Sequence, residues 1–85
     1  MEDPVELLKE LIRINTTNPP GAEAALLDCL ERKLAKAQLP VARQETAPGR
    51  GNLISRLKAD GEITLPPLVL LSHTDVVAAD PSQWL

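Results

Sequence analysis

The chain contains the stretch Pro67-Leu68-Val69-Leu70-Leu71-Ser72-His73-Thr74-Asp75-Val76-Val77. It begins with four consecutive apolar residues, which predict a strand over Leu68–Ser72 that is buried on both faces. The run leads directly into His73, the only histidine of the chain, and Asp75 follows two residues later. A doubly buried strand after two helices favours an α/β or α+β layered domain in which helices cover a sheet. Ligands bind such sheets beyond the carboxyl ends of the strands. His73 and Asp75 occupy that position.

Two helical patterns precede the apolar run. In the first pattern, Asp3 can serve as the N-cap residue and Pro4 suits the first helical position. Glu6 stands three residues after Asp3, where its side chain can bond to the backbone of the cap residue. Apolar residues then recur at helical spacing, which predicts a stripe that faces a core; its members are Val5, Leu8, Leu11 and Ile12. The prolines and glycine of Asn15–Gly21 end this helix in a connector.

The second helical pattern spans about Ala22 to Gln38 and stops before Pro40. Its apolar stripe consists of Leu27, Leu30, Leu34 and Ala37. Two further strands are predicted, a short one over Val41–Glu45 and a better one over Asn52–Lys58, separated by a turn at Ala47–Gly51. The sequence therefore predicts two helices followed by about three strands.

The composition fits one small domain or part of a larger one, with 85 residues, 44% hydrophobic content and a formal net charge of −3. A chain of this size buries only about 60–65% of the surface that its unfolded form exposes. Phe and Tyr are absent, and the single Trp84 could either pack against the loop after the third strand or form part of a cleft wall, with packing as the expected role. We therefore expect residues 1–85 to be one incomplete domain that continues beyond Leu85.

Charge and hydropathy exclude several functional classes. The nine Lys/Arg and twelve Asp/Glu residues are interspersed, so no nucleic-acid-binding surface is indicated. The longest apolar run is four residues, far below the ~18 of a membrane span, and the acidic N-terminus does not resemble a secretory signal. The cytoplasm is the expected location. Cys29, the only cysteine, lies within a helical pattern and is interpreted as a small buried residue.

His73 and Asp75 allow two interpretations. Neutral imidazole is a good zinc ligand, and a neighbouring carboxylate fixes the tautomer of a ligating histidine. A histidine at the end of a buried strand can equally form a structural hydrogen-bonded pair with an aspartate. The spacing alone does not decide between them.

Three segments of the chain resemble one family. The run Leu70–Val77, with Trp84 following, resembles the signature of the dinuclear zinc hydrolases that include aminoacylase, acetylornithine deacetylase, succinyl-diaminopimelate desuccinylase and glutamate carboxypeptidase. Leu7–Ile14 with Thr17-Asn18-Pro19-Pro20-Gly21 is similar to that family's first helix and proline turn, and Arg50-Gly51-Asn52-Leu53-Ile54 is similar to the entry to its second strand. Ala78 departs from the proline that commonly follows the two valines of the family signature.

The resemblance implies the N-terminal part of a layered zinc-peptidase-like catalytic domain that cleaves a peptide or N-acyl amino acid. It implies that His73 is a metal ligand and that Asp75 orients this histidine and is counted among the catalytic residues. A complete site would hold two Zn²⁺ ions, with Co²⁺ or Mn²⁺ as possible substitutes. The bridging aspartate, the general-base glutamate and the other ligands would lie after Leu85, so the isolated chain is expected to be inactive. The alternatives are a small non-catalytic α/β interaction module and a degenerate truncated product.

Overall fold

A computed structural model describes residues 2–84 and has a small α/β arrangement. Helix α1 spans Pro4–Ile12 and helix α2 spans Ala24–Lys36. Strands β1, Val41–Ala47, and β2, Arg50–Ser55, form a two-stranded antiparallel sheet, and a single 3₁₀ turn covers Pro81–Gln83. Across residues 2–84, no helix combines the length and the apolar character needed to span a membrane.

Helix α1 begins as predicted but does not bury its apolar stripe. The Asp3 carboxylate accepts a hydrogen bond of 2.9 Å from the backbone N–H of Val5, and Pro4 occupies the first turn. Glu6 does not reach back to the cap as predicted, because its carboxylate is paired with Lys9 at 3.0 Å. Val5, Leu8 and Ile12 remain 57–71% exposed. The expectation that this stripe faces a core is therefore wrong for the described residues, among which α1 meets α2 through polar contacts of Glu10.

Helix α2 supplies the small core. It is shorter at both ends than the predicted Ala22–Gln38, and its buried residues are Leu26, Leu27 and Cys29. Burial of Cys29 confirms that interpretation, and desolvation together with the Glu10 carboxylate, 3.4 Å away, raises the pKa of its thiol. Helix α2 lies against both strands of the hairpin and mainly against β2.

Strands β1 and β2 confirm the two predicted strands, with shifted bounds. They are joined by a tight turn in which Gly49 has a φ of +76°, and Gln44 lies opposite Asn52 in the register. The Ser55 hydroxyl donates to the carbonyl of Pro40 at 2.7 Å, which ties the end of β2 to the start of β1. The hairpin thus places Arg50 at its turn, next to the N-terminus of α2.

The third predicted strand does not form in the described part of the chain. Leu68–Leu71 pairs with no strand and is 79–94% exposed, so the prediction of burial on both faces is wrong. An apolar run becomes a buried strand only when neighbouring strands and covering helices remove it from water. The radius of gyration, 15.6 Å against about 12 Å for a compact chain of this length, reflects this extended segment.

Trp84 also differs from expectation. Its side chain is 75% exposed, so the predicted packing against the loop is absent. The preceding turn is stabilised locally instead, because the Asp80 carboxylate accepts hydrogen bonds from the backbone N–H and the hydroxyl of Ser82.

Candidate functional site

The segment that carries His73 and Asp75 is fixed to the connector between α1 and α2. The backbone N–H of Asn18 donates to the carbonyl of Val76 at 2.7 Å, and the N–H of Val76 donates to the carbonyl of Thr16 at 3.2 Å. The buried hydroxyl of Thr16 donates to the carbonyl of Thr74 at 2.7 Å. These contacts form a short parallel bridge between residues almost 60 positions apart, and they hold residues 74–76 although residues 68–71 are unpaired.

His73 presents one ring nitrogen to solvent. Its Nδ1 lies 2.8 Å from the backbone carbonyl oxygen of Asp75 and 3.3 Å from Oδ1 of the same residue. Because a carbonyl oxygen only accepts hydrogen bonds, this geometry requires Nδ1 to carry the proton. The side chain is 85% exposed, and Nε2 makes no hydrogen bond to any residue from 2 to 84. Its lone pair is thus directed away from the protein and can bind a metal ion.

The Asp75 carboxylate has a different partner on each oxygen. Oδ1 faces His73, whereas Oδ2 accepts a hydrogen bond of 3.1 Å from the Asn18 amide and lies 3.4 Å from the Arg50 guanidinium. The Asn18 hydrogen bond is the largest influence lowering the pKa of the Asp75 carboxyl; partial burial opposes it, and the charge of Arg50 adds to it. Asp75 is therefore held as a carboxylate beside the imidazole.

Arg50 is in turn held by Glu23. Two guanidinium nitrogens of Arg50 lie 2.8–3.2 Å from the Glu23 carboxylate, whose side chain is only 6% exposed. A bidentate pair of this kind fixes the plane of the guanidinium as well as its position. The guanidinium fits here because residue 21 is glycine: a Cβ at this position would lie 2.7 Å from Arg50 Cζ. Gly21 also has a φ of +71°. The four side chains form a chain of contacts, Glu23 to Arg50 to Asp75 to His73, with Asn18 beside it.

Sequence reasoning identified His73 and Asp75 but gave no functional role to Asn18, Glu23 or Arg50. Asn18 lies in the predicted proline turn, and Arg50 lies at the predicted entry to a strand. A signal was present, because Asn18 and Arg50 are polar residues inside the two upstream segments of the resemblance. The structure brings Asn18 and Arg50 into contact with Asp75, and Glu23 into contact with Arg50.

An open groove of about 990 Å³ adjoins this cluster. Its walls are α2, β2 and residues 71–75, and its lining includes Leu27, Leu30, Leu34, Leu53, His73 and Asp75. The groove thus has both apolar side chains and the His73–Asp75 pair in its lining.

The donor set fits one position of a zinc site. Imidazole nitrogen is an ordinary zinc ligand, and a zinc site uses three or four protein ligands. Over residues 2–84, no group of three or more His, Cys, Asp or Glu side chains could hold a metal ion. Cys29 is buried, and its Sγ lies 3.4 Å from the Glu10 carboxylate. Residues 2–84 therefore offer the exposed His73 imidazole without a surrounding set of ligands.

The Glu23–Arg50 pair should make stability depend on pH. The Arg50 guanidinium lowers the pKa of the Glu23 carboxyl from its ordinary value of 4.5, although burial acts in the opposite direction. A lowered folded-state pKa stabilises the folded protein above 4.5, and this contribution is lost as the pH falls through the lower folded-state value. We expect the urea midpoint of the wild type to fall more steeply between about pH 5 and pH 3 than that of Glu23→Gln. Parallel curves for the two proteins would contradict the expectation.

No protein family model matches the chain, and no solved structure matches it. The small α/β fold and the geometry around Asp75 are therefore the observations that bear on function.

Proposed function

We propose that the chain is the N-terminal portion of the catalytic domain of a dinuclear zinc hydrolase that cleaves the amide bond of a peptide or N-acyl amino acid. One observation carries this proposal. The three segments that resemble the family are far apart in the sequence, yet a side chain from each meets at one carboxylate: Asn18 and Arg50 both contact Asp75. If the three segments resembled the family only by chance, there would be no reason for their side chains to lie together in the structure.

The roles follow from the contacts. His73 would hold a zinc ion through Nε2, because its Nδ1 proton is already donated to the backbone of Asp75. Asp75 would keep the ring in that tautomer and orientation, as carboxylates near ligating histidines do. Zinc in such a site acidifies a bound water and polarises the scissile carbonyl. The apolar groove beside His73 would accommodate the side chain or acyl group of the substrate. These roles are compatible with a cytoplasmic enzyme.

The same ligand count predicts that the 85-residue chain has no hydrolase activity by itself. One imidazole and a supporting carboxylate fall short of the three or four ligands of a zinc site, so zinc should bind weakly. We expect zinc to shift the imidazole signals of His73, which are unambiguous because the chain has a single histidine. The measurement is a zinc titration followed by NMR, with an assay on N-acetyl amino acids and dipeptides.

Two variants provide the controls for this titration. His73→Ala should remove the zinc response at residues 73–76, and Ser72→Ala, a change in the same exposed segment, should leave it unchanged. Hydrolysis by the unaided chain, or zinc binding that bypasses His73, would contradict the proposal.

A second candidate is a non-catalytic α/β interaction module in which His73 and Asp75 are a structural pair. The observation in its favour is the exposure of Leu68–Leu71, which gives the chain an apolar segment without a partner. Under this function His73→Ala would lower stability slightly, and zinc would have no preferred site. The titration above therefore separates the two candidates.

A further inference from the structure

The two oxygens of the Asp75 carboxylate are not equivalent in the structure. Oδ2 is occupied by the Asn18 amide and the Arg50 guanidinium, and Oδ1 is left 3.3 Å from His73 Nδ1. A half-exposed aspartate without such partners would exchange between staggered rotamers. Because each carboxylate oxygen of Asp75 has its own partner, one rotamer of the side chain is favoured.

Arg50 has little freedom to change this arrangement. Its guanidinium makes a bidentate pair with Glu23. Glu23 is buried and is the N-cap residue of α2. The position of the guanidinium thus depends on the start of α2 and on the hairpin turn, which are joined by a hydrogen bond of 3.1 Å from the Ala24 N–H to the Gly49 carbonyl.

We propose that Arg50, anchored by Glu23, is a positioning residue for Asp75: together with Asn18 it binds Oδ2 and so keeps Oδ1 turned toward His73. That this orientation supports metal binding rests on the proposed function. The orientation of Asp75 itself is independent of that function. Glu23 acts through Arg50, and neither residue contacts the imidazole.

The test uses the full 85-residue chain without metal. Three-bond couplings at the Asp75 β-protons report its rotamer, and long-range ¹⁵N–¹H spectra report the tautomer of His73. We expect one dominant Asp75 rotamer and an Nδ1–H imidazole in the wild type. Arg50→Gln should change the ratio of Asp75 rotamers by about two- to tenfold, the effect of losing one charge-assisted contact, and should lower the Nδ1–H fraction.

A matched control exists on the same two elements. Arg43 on β1 pairs through Nη1 with Asp28 and Glu31 on α2, so it also links an arginine of the hairpin to carboxylates of the helix, but it makes no contact with Asp75. Arg43→Gln should therefore leave both spectroscopic readouts at their wild-type values. Should Arg50→Gln fail to fold, Arg50→Lys provides the second variant, because lysine keeps the charge but lacks the planar fork that binds Glu23 bidentately.

Combining variants tests the order of action. If Glu23 acts only through Arg50, the double variant Glu23→Gln/Arg50→Gln should shift the Asp75 rotamers no further than Arg50→Gln alone. Unchanged rotamers in folded Arg50→Gln or Arg50→Lys would overturn the proposal, as would equal effects of Arg43→Gln. Failure of zinc to reach His73 would instead count against the proposed function, because the rotamer measurement contains no metal.

Discussion

Leu27→Ala is expected to destabilise the folded chain by about 2–5 kcal/mol, the usual result of truncating a buried leucine. Leu27 is 3% exposed, and the buried apolar residues among positions 2–84 are few: it shares the core with Leu26 and Cys29. A small domain is stable by only about 5–15 kcal/mol in general, and chains of this size lie at the lower end. Urea unfolding followed by circular dichroism at 222 nm measures the change, and much of the variant should be unfolded at 37 °C.

The control for this prediction is Leu70→Ala, which removes the same atoms from a side chain that is 88% exposed. Substitutions at exposed sites without special contacts change stability by about 0.5 kcal/mol or less. Leu70→Ala should therefore unfold at nearly the wild-type urea concentration. Equal losses for the two variants would mean that residues 68–71 are buried in solution, contrary to the structure.

Gly21→Ala is expected to destabilise the chain and to disturb the candidate site. A residue with a side chain costs about 1–2 kcal/mol in the left-handed backbone region, where Gly21 has a φ of +71°. The added Cβ would also lie 2.7 Å from Cζ and Nε of Arg50, so the guanidinium must move away from Glu23 and Asp75. We expect a lower melting temperature, and in the fraction that folds we expect altered Asp75 rotamers.

Gly49→Ala separates the two causes. Gly49 has a similar φ of +76°, but a Cβ there would meet no atom within 4 Å. This control should show the backbone cost alone and leave the Asp75 couplings unchanged. If thermal unfolding and NMR gave the same result for Gly21→Ala and Gly49→Ala, the close approach of Gly21 to Arg50 would have no energetic consequence.

Much of the local structure could be predicted from neighbouring residues. The start of α1 follows from Asp3 and Pro4, because a capping carboxylate and a proline act on backbone groups within one turn. The hairpin follows from two short strand-like segments separated by Pro48 and Gly49, since such a turn needs a residue that tolerates positive φ. These signals depend on contacts between residues a few positions apart.

The failures have a common physical cause. The apolar stripe of α1 and the run Leu68–Leu71 both predicted burial, yet both remain exposed. Periodicity and hydrophobicity indicate which surface would gain free energy by burial. Burial also requires a second surface that packs against it. The pattern alone does not supply one.

The sequence by itself determined the start of α1 and the hairpin, and it predicts His73 as a metal ligand supported by Asp75. Only the tertiary structure decided that Asn18 and Arg50 contact Asp75 and that Glu23 binds Arg50, because these contacts join residues 25–57 positions apart. Each of these contacts closes a long loop of the chain. The residues next to Asn18 or Arg50 in the sequence do not indicate which distant carboxylate each will contact.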